Sequence, residues 1–405
     1  MARLRDNHLH WSSSLLPLRL LNFFIYGTMV IFAAFFQLYL QDIGMDKLEI
    51  GTLMSIGPLI SLAANPFWRY ISDRRQNPRA VLLAMLIGLL VMGHLVFKVN
   101  TFHLLYLTMS LLFFFQSALL SQSNSLILGY TEGTKFKFGA FRLWGSLGWT
   151  FIALAAGPII DAIGQYGISL LFSVTLMLAI SFTLWLPSIR QTATTLSLKS
   201  ADILRTFRQK YFIAFVLFGI LVSIPNSINV IFMPLFITDL GGSRLQVGGA
   251  VFLSTAFEVL AFVLLNRYLK RKITYLMGCI TIVSLLFALR WNLMSEATYP
   301  VQIMFIQLLH SVTFGGFFYV GTRLTTLLLP KPLRASGQAI YAFALSGLSG
   351  VIAGSLGGWI FQNFGAVLMY RMGVIMTLFG ALGYAAMWYR IHQNGYTPGL
   401  TRIEP

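Results

Sequence analysis

The chain has 405 residues, of which 57% are hydrophobic and only 10% charged, with a mean hydropathy of +0.75. A soluble domain carries about 25% charged residues, so a soluble enzyme, a disordered chain and a coiled coil are all excluded. The formal net charge is +17, but Lys and Arg fall in short loops between apolar runs, a pattern that orients a membrane protein rather than one that grips nucleic acid.

A helix needs about 20 apolar residues to cross the hydrocarbon core. Twelve such runs occur, near 16–40, 50–70, 80–98, 104–128, 141–160, 167–187, 211–237, 246–268, 273–290, 299–329, 336–361 and 366–390. The first is too long for the core of a cleaved signal peptide. Pro58, Pro158 and Pro225 lie inside runs, which membrane helices tolerate. The one cysteine, Cys279, is also inside a run, so neither an intramolecular disulfide nor a thiolate metal centre is expected. The predicted fold is an all-α membrane protein.

Basic residues alternate between loops. Arg3, Arg5 and Arg19 precede or open the first run, and Arg69, Arg74, Arg75 and Arg79 follow the second. Lys135 and Lys137 follow the fourth, Arg190 to Lys210 the sixth, Arg267 to Lys272 the eighth, Lys331 and Arg334 the tenth, and Arg390 the last. The opposite loops hold little beyond Lys47, Lys98 and Arg244. Both termini are therefore expected on the cytoplasmic side of the cell membrane.

The one long polar connection, 188–210, separates an expected N-terminal bundle (1–187) from a C-terminal bundle (211–405). The halves repeat weakly. Asp42-Ile43-Gly44 with Gly51 is echoed by Asp239-Leu240-Gly241 with Gly248, and Gly157 with Gly164 by Gly358 with Gly365. Two echoes at matching offsets imply duplicated six-helix bundles, the plan of a transporter.

The loop Arg69-Tyr70-Ile71-Ser72-Asp73-Arg74-Arg75 resembles the loop signature of the major facilitator superfamily, which usually has Gly where this chain has Arg69. Phe138-Gly139-Ala140-Phe141-Arg142-Leu143-Trp144-Gly145-Ser146-Leu147-Gly148-Trp149 resembles the lactose-permease-like oligosaccharide–proton symporters, which are related to the phenylpropionate and nucleoside permeases. The resemblance covers essentially the whole chain. It implies twelve helices in two pseudo-symmetric bundles.

Charge within a bilayer is costly, so ionisable residues inside the runs are functional candidates. Glu258 is the only carboxylate in the middle of one. Burial raises a carboxyl pKa, as proton coupling requires; a permanent partner in Arg290 or Arg142 is the structural alternative. His310 offers a relay or a substrate contact, or else a neutral ring bonded to its neighbours. The resemblance implies a Glu and a His at these two places, and a further Glu one turn after the His, where this chain has Thr313. It also implies that Arg290 joins this group. Otherwise Arg290 is an interfacial cation reaching for water.

Arg142 presents a fork of donors for hydroxyls or a carboxylate, or is simply a charge at a helix end. In the resemblance its partner is an acid in the fourth span. Here that position is Asn124, which leaves Arg142 available for an anionic substrate. Trp149 matches the sugar-stacking position; packing against lipid or helix is the alternative. Gly145 and Gly148 read as close-packing positions. Ser117, Ser121 and Asn124 share a helical face, as do Asn226 and Asn229, and Tyr26 adds a polar group in the first span. Each either binds substrate or holds helices together. Asp73 and Arg74 are assigned to a cytoplasmic gate, or to orientation alone.

No phosphate loop, metal-ligand cluster or nucleophile constellation occurs. The terminal His8 and His10 read as solvated. The expected function is secondary active transport: proton-coupled uptake of a small sugar, nucleoside or aromatic acid by alternating access. The alternatives are an uncoupled facilitator, an exporter of hydrophobic compounds and, outside transport, a membrane enzyme or receptor. No cofactor is expected beyond the coupling proton, no partner beyond solute and bilayer, and the unit is expected to be a monomer.

Overall fold

The computed structural model describes residues 15–134, 136–164, 166–189 and 200–398. Arg3, Arg5, His8, His10, Lys135, Arg190 and Lys199 lie outside these, as does the middle of the 188–210 connection. Every regular element among the described residues is helical. In chain order they begin with α1 (Leu16–Asp42), α2 (Lys47–Arg75), α3 (Pro78–Val96), α4 (Phe102–Gln116), α5 (Leu119–Thr131), α6 (Phe138–Ile163) and α7 (Gly167–Trp185). A short α8 (Ser200–Phe207) precedes α9 (Lys210–Asp239), α10 (Arg244–Ala256), α11 (Glu258–Tyr268) and α12 (Ile273–Ser295). Then come α13 (Pro300–Ile306), α14 (Leu308–Leu328), α15 (Arg334–Ala342) and α16 (Ser349–Asn394).

Ten described segments are long and apolar enough to cross a membrane. One of them, Lys331–Asn394, reverses its backbone at Gly365 (φ 80°, ψ 171°) and supplies two crossings. The eighth expected run, carried by α10 and α11 on either side of Phe257, is not among the ten. Helices thus cover each of the twelve expected runs. Local chemistry sets the ends. Asn77 caps α3 by accepting from the Ala80 N–H, with Pro78 in the first turn, where a missing N–H costs nothing. Ser243 and Gln246 form a reciprocal capping box at the start of α10.

The chain forms two compact units. The first comprises the described parts of 1–36 and 60–194; the second comprises 37–59 with the described residues beyond 195. The hairpin of 37–59, expected with the N-terminal bundle, thus clusters with the C-terminal helices.

In the first unit α6 meets α1 through small residues. A Cβ on Gly148 would lie 2.0 Å from the Phe23 carbonyl oxygen, and one on Gly145 would lie 2.7 Å from the Tyr26 ring. Only glycine permits that approach. Polar clasps add to it: Ser123 donates to Asn22 Oδ1 at 2.9 Å and Thr28 to Thr175 at 2.9 Å.

In the second unit Gly51 packs directly on α16. Its Cβ would stand 2.1 Å from the Gly354 carbonyl, and a Cβ on Gly354 would stand 2.4 Å from that of Gly51. α9 stays unbroken through Pro225 and Pro234. Next to α15 the backbone widens into a π-turn at Phe343–Leu348.

Candidate functional site

Arg290 is the centre of the second unit's polar core. It is not at a helix end, since α12 continues to Ser295, and it is 0% exposed. Reaching for water is therefore excluded. Its guanidinium donates through Nη2 to Gln307 Oε1 and through Nη1 to His310 Nδ1 at 3.1 Å, with Thr313 Oγ1 at 3.5 Å. The Trp291 ring lies 4.7 Å from its Cζ. No carboxylate lies within ion-pairing distance of Arg290 among the described residues. Every partner is neutral, and Nε has none.

The network continues outward. Asn229 Nδ2 donates to Gln307 at 3.4 Å, and Tyr370 Oη donates to Asn229 Oδ1 at 3.1 Å. Four membrane segments are so joined: α9, α12, the α13–α14 pair and α16. Gln307 is the hub, and it sits in the break between α13 and α14. Because a guanidinium can only donate, His310 Nδ1 must accept, which puts the ring proton on Nε2. The ring stacks on Phe314 with centroids 5.0 Å apart.

Glu258 opens α11 immediately after the Phe257 break and is half-buried. Its Cγ would be 3.8 Å from a Cβ on Gly315, so the glycine leaves room beside the carboxylate on α14. α10 and α14 are tied by Ser311, which donates to the Ser254 carbonyl at 3.1 Å.

A cavity of about 450 Å³ lies wholly among residues of the second unit. Phe287, Phe314, Phe317 and Phe318 supply aromatic walls, and Ser223, Asn226, Thr322, Gln338, Tyr341 and Ser346 supply polar groups. No charged side chain lines it. Phe287 lies one turn before Arg290, and Phe314 one turn after His310, so the Arg290 network stands behind one wall. Two lining residues each carry a polar atom that is itself buried without a hydrogen-bond partner: Asn226 Oδ1 and Tyr341 Oη. A buried polar atom left unpaired is costly, so both invite a ligand group. Asn226 and Asn229, indistinguishable in sequence, thus differ: Asn229 is satisfied by two protein partners and Asn226 Oδ1 by none.

The first unit holds the remaining candidates. Arg142 is exposed and makes no hydrogen bond or ion pair among the described residues, and Asn124 is half-buried and equally free of partners. Trp149 is half-buried with its Nε1 unpaired, and Tyr26 lies against Gly145. No hydrogen bond or ring contact joins Arg142, Trp149 and Asn124 to one another. Near the end of α2, Arg74 donates to Tyr70 Oη at 3.3 Å, and Asp73 makes no ion pair among the described residues. The described residues hold no group of three metal-ligating side chains.

Sequence reading missed Gln307 and Tyr370. Gln307 was visible as an amide within an apolar run; Tyr370 carried no signal, because an aromatic early in a span reads as an interfacial anchor.

The membrane-crossing helices and the family to which the chain matches make it a multi-pass membrane transporter of the major facilitator type, not an enzyme. The chain belongs to the MFS_1 like family, whose model matches residues 15–372. It is 27% identical to the maltose permease of Geobacillus stearothermophilus over 360 residues, 87% of this chain and 89% of the relative. It is 23% identical to the uncharacterized transporter YwbF of Bacillus subtilis (strain 168) over 357 residues, 86% of each. Among solved structures, a crystal structure of the nucleoside transporter NupG matches with a TM-score of 0.76 at 16% identity, covering 94% of this chain and 99% of that one. A POT family transporter in complex with 5-aminolevulinic acid matches with a TM-score of 0.70 at 14% identity, covering 93% and 95%.

Proposed function

We propose that the protein takes up a small neutral, hydroxyl-bearing solute, a sugar or a nucleoside, together with a proton. The observation that carries this reading is the cavity: aromatic walls, amides and hydroxyls, two unpaired polar atoms, and no charge. Aromatic faces suit the apolar side of a sugar or a base. The uncharged lining favours a neutral solute over an aromatic acid. The maltose permease relative, a sugar carrier by name, supports the same reading.

In this reading Glu258 binds and releases the coupling proton, and His310 and Arg290 form the polar core that responds. Asn226 binds solute in the second unit; Arg142, Trp149, Asn124 and Tyr26 are the solute-binding residues of the first. Asp73 and Arg74 act at the cytoplasmic gate. The chain works as a monomer with both termini cytoplasmic, and the six-helix halves 1–187 and 211–405, joined by 188–210, alternate access to the solute.

The test is uptake into proteoliposomes under an inward proton gradient, with labelled maltose, uridine and phenylpropionate as probes. Accumulation of the sugar or nucleoside above its external concentration, abolished by a protonophore, is expected. Selective accumulation of the aromatic acid overturns the neutral-solute reading. One observation favours a second reading, an uncoupled facilitator: Arg290 bonds to Thr313, where the symporters that the sequence resembles carry a second carboxylate. Flux that runs only downhill and ignores the protonophore selects it.

A further inference from the structure

The short helix α8 carries a surface that transport itself does not use. One face is pinned to the protein. Thr206 is 0% exposed, and its hydroxyl lies 2.7 Å from Ser336 Oγ at the start of α15. Ser336 also reaches the Asp202 carbonyl at 3.4 Å, and Gln209 is buried just beyond. The helix is therefore held in a fixed orientation.

Its opposite face is apolar and open. Leu204 is 62% exposed and Phe207 56% exposed, one turn apart on one ridge. Arg205, Arg208 and Lys210 flank that ridge, all exposed, against one acid, Asp202, which lies 3.9 Å from Arg205. Lys331 is exposed in the segment that α8 packs on. Depth is fixed by continuity: only Arg208 and Gln209 separate α8 from α9, a membrane-crossing helix. The ridge is consequently held at the level where hydrocarbon gives way to headgroups.

We propose that α8 is an interfacial docking surface for anionic phospholipid, with Leu204 and Phe207 seated among the acyl chains and Arg205, Arg208 and Lys210 holding the phosphates. An apolar ridge bordered by cations is the pattern that lies in a membrane interface, and negative headgroups are what those cations attract. A neutral lipid would satisfy the ridge and leave Arg208 and Lys210 without a partner. A second protein copy would need an acidic surface, and the chain has 12 acidic residues against 29 basic ones.

The test uses the full chain with Cys279→Ser and Leu204→Cys, labelled with a fluorescence donor and reconstituted in phosphatidylcholine vesicles. Trace acceptor-labelled phosphatidylglycerol or phosphatidylcholine is added, and energy transfer reports local lipid enrichment. Phosphatidylglycerol should be enriched several-fold over phosphatidylcholine and lose that enrichment at high salt. Each basic residue in contact contributes about fivefold (about 1 kcal/mol), so Arg205→Gln with Arg208→Gln and Lys210→Gln should abolish the preference. Thr206→Ala, which loosens the pin and leaves the charges, controls for misfolding and should retain most of it. Equal transfer to both lipids, or a preference that survives the triple substitution, overturns the proposal. So does transfer between donor- and acceptor-labelled protein copies, which would place a second chain on the ridge.

Discussion

Lys47 and Asp239 form an ion pair at 2.8 Å between the start of α2 and the end of α9, and the repeat-related partners complete a cross: Arg244 at the start of α10 pairs with Asp42 at the end of α1. Each turn's acid meets the other turn's base. The sequence showed the two Asp-x-Gly turns as an echo and the two cations as strays in otherwise neutral loops; the fold makes them reciprocal. Lys47 is fixed further by its N–H, which donates to Gln362 at 3.0 Å, and by the Phe361 ring 5.0 Å from its Nζ. The side chains of the pairs are 16–37% exposed, so each pair contributes no more than about 1 kcal/mol. Lys47→Asp should lower the unfolding midpoint in detergent, and adding Asp239→Lys should recover most of the loss. An additive double variant would remove the pair from the account of how this hairpin is held.

Asn226 and Asn229 should separate cleanly. Asn229→Ala strands the Tyr370 hydroxyl and takes one donor from Gln307, leaving buried polar groups unpaired at about 1–3 kcal/mol each. It should lower the unfolding midpoint. Asn226→Ala removes an oxygen that has no protein partner, so the midpoint should hold while the apparent solute constant rises about tenfold, the equivalent of one lost ligand hydrogen bond. Thermal unfolding and uptake kinetics on both variants decide it. Equal destabilisation would mean that Asn226 is glue as well.

Arg290→Lys tests whether the network depends on the fork or only on the charge. An ammonium is a point donor on a flexible stem and cannot span Gln307 and His310 as the planar guanidinium does. At least one charge-assisted bond is lost, worth about 1.5–3 kcal/mol, so the variant should fold with a clearly lower midpoint. Gln307→Leu should be worse, because it strands both Arg290 Nη2 and Asn229 Nδ2. If Arg290→Lys unfolds with the wild type, the guanidinium geometry is not what holds α12 to α14.

Hydropathy made the crossings legible because the bilayer constrains composition more tightly than shape. The places where helices break were not legible. Proline is the usual punctuation, yet Pro158, Pro225 and Pro234 all lie within unbroken helices. The interruptions fall instead at Ser117-Ala118, Phe257 and Gln307, none with proline or glycine. At Gln307 the tertiary partners are visible: its side chain turns to Arg290 and Asn229, a relation no local window contains. Glu258, His310 and Arg290 stood out because charge in an apolar run is rare. What Arg290 bonds to did not, since Gln307 and Thr313 are ordinary membrane residues until packed.

Glu258→Gln is the substitution that separates coupling from binding. Glutamine keeps the size of the side chain and fits beside Gly315 as glutamate does, so the fold and the unfolding midpoint should be preserved. It cannot take up or release a proton. If the carboxyl carries the coupling proton, accumulation against a gradient should disappear while exchange of labelled for unlabelled solute continues at near the normal rate. That pattern arises because exchange needs only the loaded carrier to change state, and a neutral side chain mimics the protonated form. The pH dependence should flatten along with the uphill flux, since the titrating group is gone. Loss of exchange together with uptake would instead mark Glu258 as a solute ligand or a structural partner, and unchanged uphill uptake would move the proton site elsewhere.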